Sequence, residues 1–124
     1  MFNRDSNQKG QQAEEIARQY LQQQGLVTID SNFFSRQGEI DLIMRDNEFL
    51  VFIEVRYRKH CRYGHPLETI NYSKQQKIFK TVQYFLLKHP QFNRLPCRID
   101  AVAIHPQEQS GENIEWVKNA IQFT

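Results

Sequence analysis

Cysteine is scarce in this chain of 124 residues: Cys61 and Cys97 are the only two, far apart and in no zinc-binding spacing. That leaves no disulfide framework and no zinc module, and both thiols read as reduced bystanders. Long apolar runs are missing too. No stretch approaches the roughly 20 residues a membrane-spanning helix needs, and the opening MFNRDSNQKG has no apolar signal segment. Cytoplasmic residence, with no membrane partner, is the default expectation. An excess of one charge is also absent. The net charge of +2 is too small to argue nucleic-acid binding by itself. Repeats, linkers and low-complexity tracts do not occur. With 40% hydrophobic and 24% charged residues, the whole chain, 1–124, reads as one small globular domain whose first residues, 1–8, are expected to be loose.

What is present centres on Gly38 to Arg58, GEIDLIMRDNEFLVFIEVRYR. Apolar residues alternate through Ile40, Leu42 and Met44 and again through Val51, Ile53 and Val55, the period of a half-buried strand. Arg45-Asp46-Asn47-Glu48 is a polar break with turn-forming residues. A two-residue loop at Asn47-Glu48 sets Asp46 against Phe49, Met44 against Val51, Leu42 against Ile53 and Ile40 against Val55. That register makes one face uniformly apolar. On the other face it puts Ile43 against Phe52, Glu39 against Arg56, and the carboxylates of Asp41 and Glu54 side by side. A one-residue slip breaks both features.

Two like charges opposite each other destabilise a sheet, so folding alone gives no reason for the pair. A divalent cation does, because Mg²⁺ binds through one or two carboxylates and leaves positions for water and phosphate oxygens. The plainer alternative is a wet hairpin end at which the two acids pair with Arg45, Arg56 or Arg58.

Around this hairpin the patterns place a helix over Gly10–Gln24, with an apolar stripe of Ala13, Ile16, Ala17, Tyr20 and Leu21 and Gly25 as its stop. Glu14 lies on the border of that stripe. Spacing alone favours a surface pair with Arg18 for it. Leu26–Asn32 reads as a first strand, and Arg36-Gln37-Gly38 as the turn into the hairpin. The basic segment KHCRYGHPLETIN follows, a candidate substrate contact in which His60 or His65 could serve as acid or base, although a loop histidine is more often simply solvated. Ser73 and Gln76 form a capping-box pattern that starts a second helix. Its stripe is Ile78, Phe79, Val82, Phe85 and Leu86, and it ends before His89-Pro90. Arg98–Ile104 is an alternating strand, and Ile114–Val117 adds an edge strand. These elements suggest an α/β protein, a mixed central sheet flanked by helices in the order α-β-β-β-α-β with that extra edge strand. Arg56, Arg58, Lys59 and Arg62 cluster after the hairpin, and Lys74, Lys77, Lys80 and Lys88 recur on the second helix. A phosphate backbone suits both groups, though solvated surface charge explains any single member as well.

Gly38-Glu39-Ile40-Asp41-Leu42-Ile43 followed by Phe52-Ile53-Glu54-Val55-Arg56-Tyr57-Arg58 resembles the PD-(D/E)xK nuclease signature. More narrowly, the chain resembles the bacterial UPF0102 (YraN-like) family, which is similar to archaeal Holliday-junction resolvases. Gly10, Glu14, Asn32, Phe33, Lys74 and Arg98-Ile99-Asp100 extend the likeness over most of the chain. The resemblance implies a restriction-endonuclease-like core. It implies Mg²⁺ or Mn²⁺ held by Asp41, Glu54 and the backbone carbonyl of Val55, with Glu14 as a third acid. The implied partner is nucleic acid, most naturally branched DNA, contacted by Arg56, Arg58, Lys59, Arg62, Lys74 and Lys77. A homodimer follows by analogy alone.

One departure stands out. The E-x-K lysine position is Arg56, and arginine does not surrender its proton. Lys74 is the candidate for the missing amine, while Arg56 could equally pair with Glu39 across the strands. If the site lacks an amine, Arg56→Lys raises cleavage. A metal-dependent nuclease, a non-catalytic nucleic-acid-binding module and a protein-interaction domain on the old scaffold are the three readings left open.

Overall fold

A computed structural model of the chain describes residues 4–57, 70–107 and 111–122. The elements run α1 (Arg4–Gln23), β1 (Val27–Ser35), β2 (Gly38–Asp46), β3 (Phe49–Tyr57), α2 (Tyr72–Lys88), a short 3-10 turn (Pro90–Phe92), β4 (Cys97–Gln107) and β5 (Gly111–Ile121). The strands form one mixed sheet in the order β1-β2-β3-β4-β5. Neighbours are antiparallel except β3 and β4, which run parallel and are joined through α2. The expected α/β architecture is the one observed, edge strand included, and β5 is longer at both ends than the stretch Ile114–Val117.

Each helix closes one face of the sheet. Ala13, Ala17 and Leu21 of α1 are buried against Leu42, Met44, Val51, Ile53, Val102 and Ile104. On the opposite face, Ile78, Val82 and Phe85 of α2 pack on Ile43, Leu50, Phe52 and Ile99. A strand covered on both faces must be apolar at successive positions, and Leu50–Ile53 is such a run. Rings add specificity: Phe85 meets Phe33 and Phe52 edge-on, with centroids 5.1 and 5.7 Å apart.

The helix ends follow local chemistry. Gly25 sits at φ 100°, a conformation that costs glycine nothing. There Gly25 N–H donates to the Gln22 carbonyl and Leu26 N–H to the Leu21 carbonyl, both at 3.0 Å, a Schellman stop that buries Leu26 on Leu21. Helical structure reaches back to Arg4 rather than starting at Gly10. The start of α2 also differs from expectation. Its N-cap is Asn71, whose side-chain oxygen accepts the Lys74 N–H at 2.9 Å, so Ser73 lies inside the first turn. Asparagine caps as well as serine does and here comes first along the chain. Asn71→Ala is expected to lower stability by about 1 kcal/mol in urea unfolding, since it orphans that amide.

The hairpin register is the predicted one. Asp46 faces Phe49, Met44 faces Val51 and Leu42 faces Ile53, with Asn47 at φ 55° in the turn. The uniform alternation does not extend further. Ile40 packs with the α2-side core rather than beside Leu42, and β2 pairs with β3 only from Leu42 onwards. Beyond that point β3 follows β4, pairing Glu54 through Tyr57 with Ala101 through Ile104. β2 follows β1, pairing Ile40 with Phe33 and Glu39 with Phe34. Glu39 and Arg56 are therefore not cross-strand partners.

Candidate functional site

The divergence of β2 from β3 creates the site. At the fork stand Asp41 on β2 and Glu54 on β3, the residues next after the last bonded pair. Asn32 lies opposite Asp41 on the other side, between the pairs Ser31–Leu42 and Phe33–Ile40, and adopts φ 51°. Asparagine tolerates that left-handed conformation far better than branched residues do. The break frees Val55 N–H to donate to Asp41 Oδ2 at 2.8 Å, fixing the carboxylate within the fork. The same break swings Ile40 to the other face.

Both acids are buried, Asp41 to 8% and Glu54 to 7% exposure. Burial, reinforced by the charge of Glu54, pushes the Asp41 carboxyl up to about 8 against the pull of the Val55 N–H. Burial also raises Glu54, opposed by Lys74 and Arg56. The Lys74 ammonium lies 3.1 Å from Glu54 Oε1, on a side chain 40% exposed. Its helix position explains the reach: the Asn71 cap sets Lys74 in the first turn of α2, above β3. Glu14 approaches Asp41 from α1. Burial raises its carboxyl, hydrogen bonds accepted from Asn32 and Asp41 lower it, and the charges of Glu39 and Glu54 raise it further. The surface pair with Arg18 belongs instead to Glu15, whose carboxylate takes the Arg18 Nε at 2.9 Å.

A cavity of about 300 Å³ opens beside Glu54, lined by Gly38, Glu39, Asn71, Ser73, Lys74 and Lys77 among others. Ser35 Oγ lies 3.1 Å from Thr81 Oγ1, which in turn donates to the Lys77 carbonyl at 2.8 Å. These hydroxyls tie the β1–β2 turn to α2 and so hold the cavity walls together. Glu14 and Asn32 line a second, smaller cavity of about 180 Å³. Asp41 thus has Glu54 and Lys74 on one side and Glu14 on the other.

The remaining expected site residues divide. Lys77 lines the main cavity. Arg56 is partly buried on β3, and its Nε and Nη2 have no hydrogen-bond partner among the described residues. Arg58, Lys59 and Arg62, with His60, His65 and Cys61, lie outside the described residues. Residues that sequence reasoning did not single out are Asn71, which sets the height of Lys74, and Thr81, a buried polar side chain in the α2 stripe. The first was legible as an Asn before a helical period; the second carried no signal.

Among the described residues, no group of three or more His, Cys, Asp or Glu side chains is arranged to hold a metal ion. Asp41 and Glu54 nevertheless fit a hard divalent cation. They are two buried oxygen donors of like charge, close enough that the charge of Glu54 raises Asp41, with the Lys74 ammonium against Glu54. No helix of the described residues is long and apolar enough to cross a membrane.

A five-stranded mixed sheet between two helices, forked beside a carboxylate pair, defines an α/β protein consistent with a restriction-endonuclease-like core. The sequence narrows the class. Residues 13–104 match the family described as "Uncharacterised protein family UPF0102", and the chain belongs to that family. It is similar to a UPF0102 protein of Coxiella burnetii strain RSA 493, 47% identical over 91% of each chain. It is also similar to one of Alcanivorax borkumensis, 42% identical over 94% of each chain. A third, from Vibrio parahaemolyticus, is 43% identical over 92% of each.

Proposed function

We propose that this protein is a divalent-cation-dependent endonuclease that hydrolyses phosphodiester bonds in DNA, with branched DNA as the favoured form. The observation that carries the reading is the carboxylate pair Asp41–Glu54, buried at the strand fork with the Lys74 amine 3.1 Å from Glu54. Asp41, Glu54 and the Val55 carbonyl would hold Mg²⁺ or Mn²⁺, which when bound would supply Lewis acidity toward water and positive charge against the scissile phosphate. The chain does the rest. Val55 N–H fixes the Asp41 carboxylate, and Glu14 and Asn32 steady it from the α1 side. Lys74 holds Glu54 while its other N–H donors face the cavity, placed to orient a water or a phosphate oxygen. Lys77, on the same wall, adds a second positive charge toward the backbone.

This reading gives the amine to Lys74 and leaves Arg56 the role of fixed positive charge. Lys74→Met is expected to cost about 10²–10³-fold in cleavage rate, the range of a lost acid–base or charge-stabilising group. Arg56→Lys is expected to stay within about threefold of wild type, because the amine is already present. The test is a Mg²⁺ and Mn²⁺ titration on linear, flapped and four-way DNA with these variants. Cleavage that ignores Lys74 and rises in Arg56→Lys reverses the assignment.

The Nε and Nη2 of Arg56, without a partner among the described residues, favour a second reading, in which the domain binds nucleic acid without cutting it. Salt-sensitive binding with no turnover under either metal selects that one.

A further inference from the structure

The geometry points to a second DNA contact surface, the outer face of α2 running away from the cavity, which carries one backbone of a duplex past the site. At about 3.6 residues per turn, Ser73, Lys77, Lys80, Tyr84, Leu87 and Lys88 fall on one side of α2. All six are exposed. The lysines have no acid to answer them on their own helix, since YSKQQKIFKTVQYFLLK contains neither Asp nor Glu. Among the described residues none of Lys77, Lys80 and Lys88 is ion-paired. Lys88 instead places its Nζ 5.5 Å from the centre of the Tyr84 ring, which steadies a cation at the far end of the stripe. The acids that form ion pairs among the described residues lie elsewhere: Glu54 at the fork, Asp46 and Asp100 around Arg98, and Glu15 on α1.

Charge and continuity select the occupant. The stripe begins at Ser73 and Lys77, which line the cavity beside Glu54. It ends at Lys88, about 22 Å away at 1.5 Å per residue. That length matches about six to seven base pairs at 3.4 Å per step on one strand. Leu87, 79% exposed, is the lone aliphatic side chain on the stripe, and the Tyr84 ring beside it carries the Lys88 cation, so an apolar partner finds little area there. This inference rests on the site accepting DNA, and it adds that the contact extends from the cut position along α2.

The test is the salt dependence of binding, measured by fluorescence anisotropy without divalent cation, so that no cleavage is needed. The probe is a fluorescein-labelled 20-base-pair duplex. Lys80→Gln/Lys88→Gln is expected to weaken binding about tenfold at low salt and to reduce the slope of log K against log salt by about 2, the share of two phosphate contacts. Lys80→Arg/Lys88→Arg is expected to keep both values. Unchanged affinity and slope in the glutamine variant overturn the inference, as does wild-type protein that ignores DNA but binds vesicles rich in anionic lipid. The catalytic reading fails separately: wild-type protein that never cuts, yet shows the lysine-dependent slope, keeps this surface and loses the nuclease.

Discussion

Asp41→Asn is expected to leave cation-dependent DNA cleavage at least about 10³-fold below wild type and, without metal at pH 8, to make the protein more stable. The two effects share one cause. Burial first, and then the charge of Glu54, lift the Asp41 carboxyl to about 8, against an unfolded value near 3.9. Below about pH 4 the group is neutral in both states and costs nothing. Between about pH 4 and 8 the unfolded chain has released its proton while the folded chain still holds it. Stability therefore falls as pH rises through this window, and the cost is complete above about 8. Glu54, also raised by burial, acts in the same direction, moderated by Lys74. Asparagine stays neutral, and its carbonyl oxygen can still accept the Val55 N–H, so the variant escapes the cost without losing the contact. About 2 kcal/mol is expected at pH 8, roughly 5–10 °C in Tm. Thermal melts from pH 5.5 to 8.5 check it: wild type loses stability across the range and the variant loses much less. Mn²⁺ restores the wild type at pH 8 and does nothing for the variant. A variant that melts lower than wild type at pH 8, or one that keeps cutting, removes Asp41 from the site.

This pairing was open to inspection in the sequence because strand periodicity is rigid. A one-residue slip would part Leu42 and Met44 from Val51 and Ile53, and those four do share the α1-side core. The fork was not open to inspection. Alternation through Ile40, Asp41 and Leu42 looks unbroken in one dimension, and the break depends on which neighbour each strand keeps. Past the fork β3 keeps β4 as its parallel partner, a segment more than 40 residues further along the chain, while β2 keeps β1. Ile40 therefore crosses to the other face, and Glu39 loses Arg56 as a partner. Lys74 was legible as a candidate, but its height over Glu54 depends on the Asn71 cap, two residues before the start suggested by Ser73. Glu14 shows the limit in the other direction. Helical spacing favoured Arg18 as its partner, yet one step round the helix gives Arg18 to Glu15 and turns Glu14 toward Asn32 and Asp41. Spacing specifies a face to within about one residue, and here one residue separates a surface pair from a site.

The largest stability effect is expected away from the fork, at Asp100. It is fully buried and accepts four hydrogen bonds. Arg98 gives two, Nε to Oδ1 at 2.8 Å and Nη2 to Oδ2 at 3.0 Å. Trp116 Nε1 donates to Oδ2 at 2.9 Å, and Asn119 N–H to Oδ1 at 2.8 Å. The backbone explains the last of these. β4 and β5 lose register at this point, from Ala101–Val117 to Ile99–Ile121, and Asn119 in the bulge takes φ 54°. A bulge leaves an amide without its ladder partner, and the Asp100 carboxylate supplies one. Arg98 then reaches on to Asp46 Oδ2 at 2.9 Å at the hairpin end of β2, so a single buried anion joins β5, β4 and the central hairpin. Asp100→Ala strands an indole N–H and a backbone N–H and takes two bonds from the Arg98 guanidinium, which keeps Asp46. The expected cost is about 3–5 kcal/mol in urea unfolding, a large share of what a domain of this size has to lose. Arg98→Ala/Asp100→Ala is expected to cost less than the two single changes added together, because each single change already removes both Arg98–Asp100 bonds. Strict additivity, or a cost below about 1 kcal/mol for Asp100→Ala, would show that these bonds are decoration. Ile53 lies beside Asp100 in the β3–β4 ladder and Glu54 is the next residue, so β4 is the support that holds Glu54 at the fork. Loosening β4 is therefore expected to weaken Mn²⁺ binding in Asp100→Asn even where that variant remains folded.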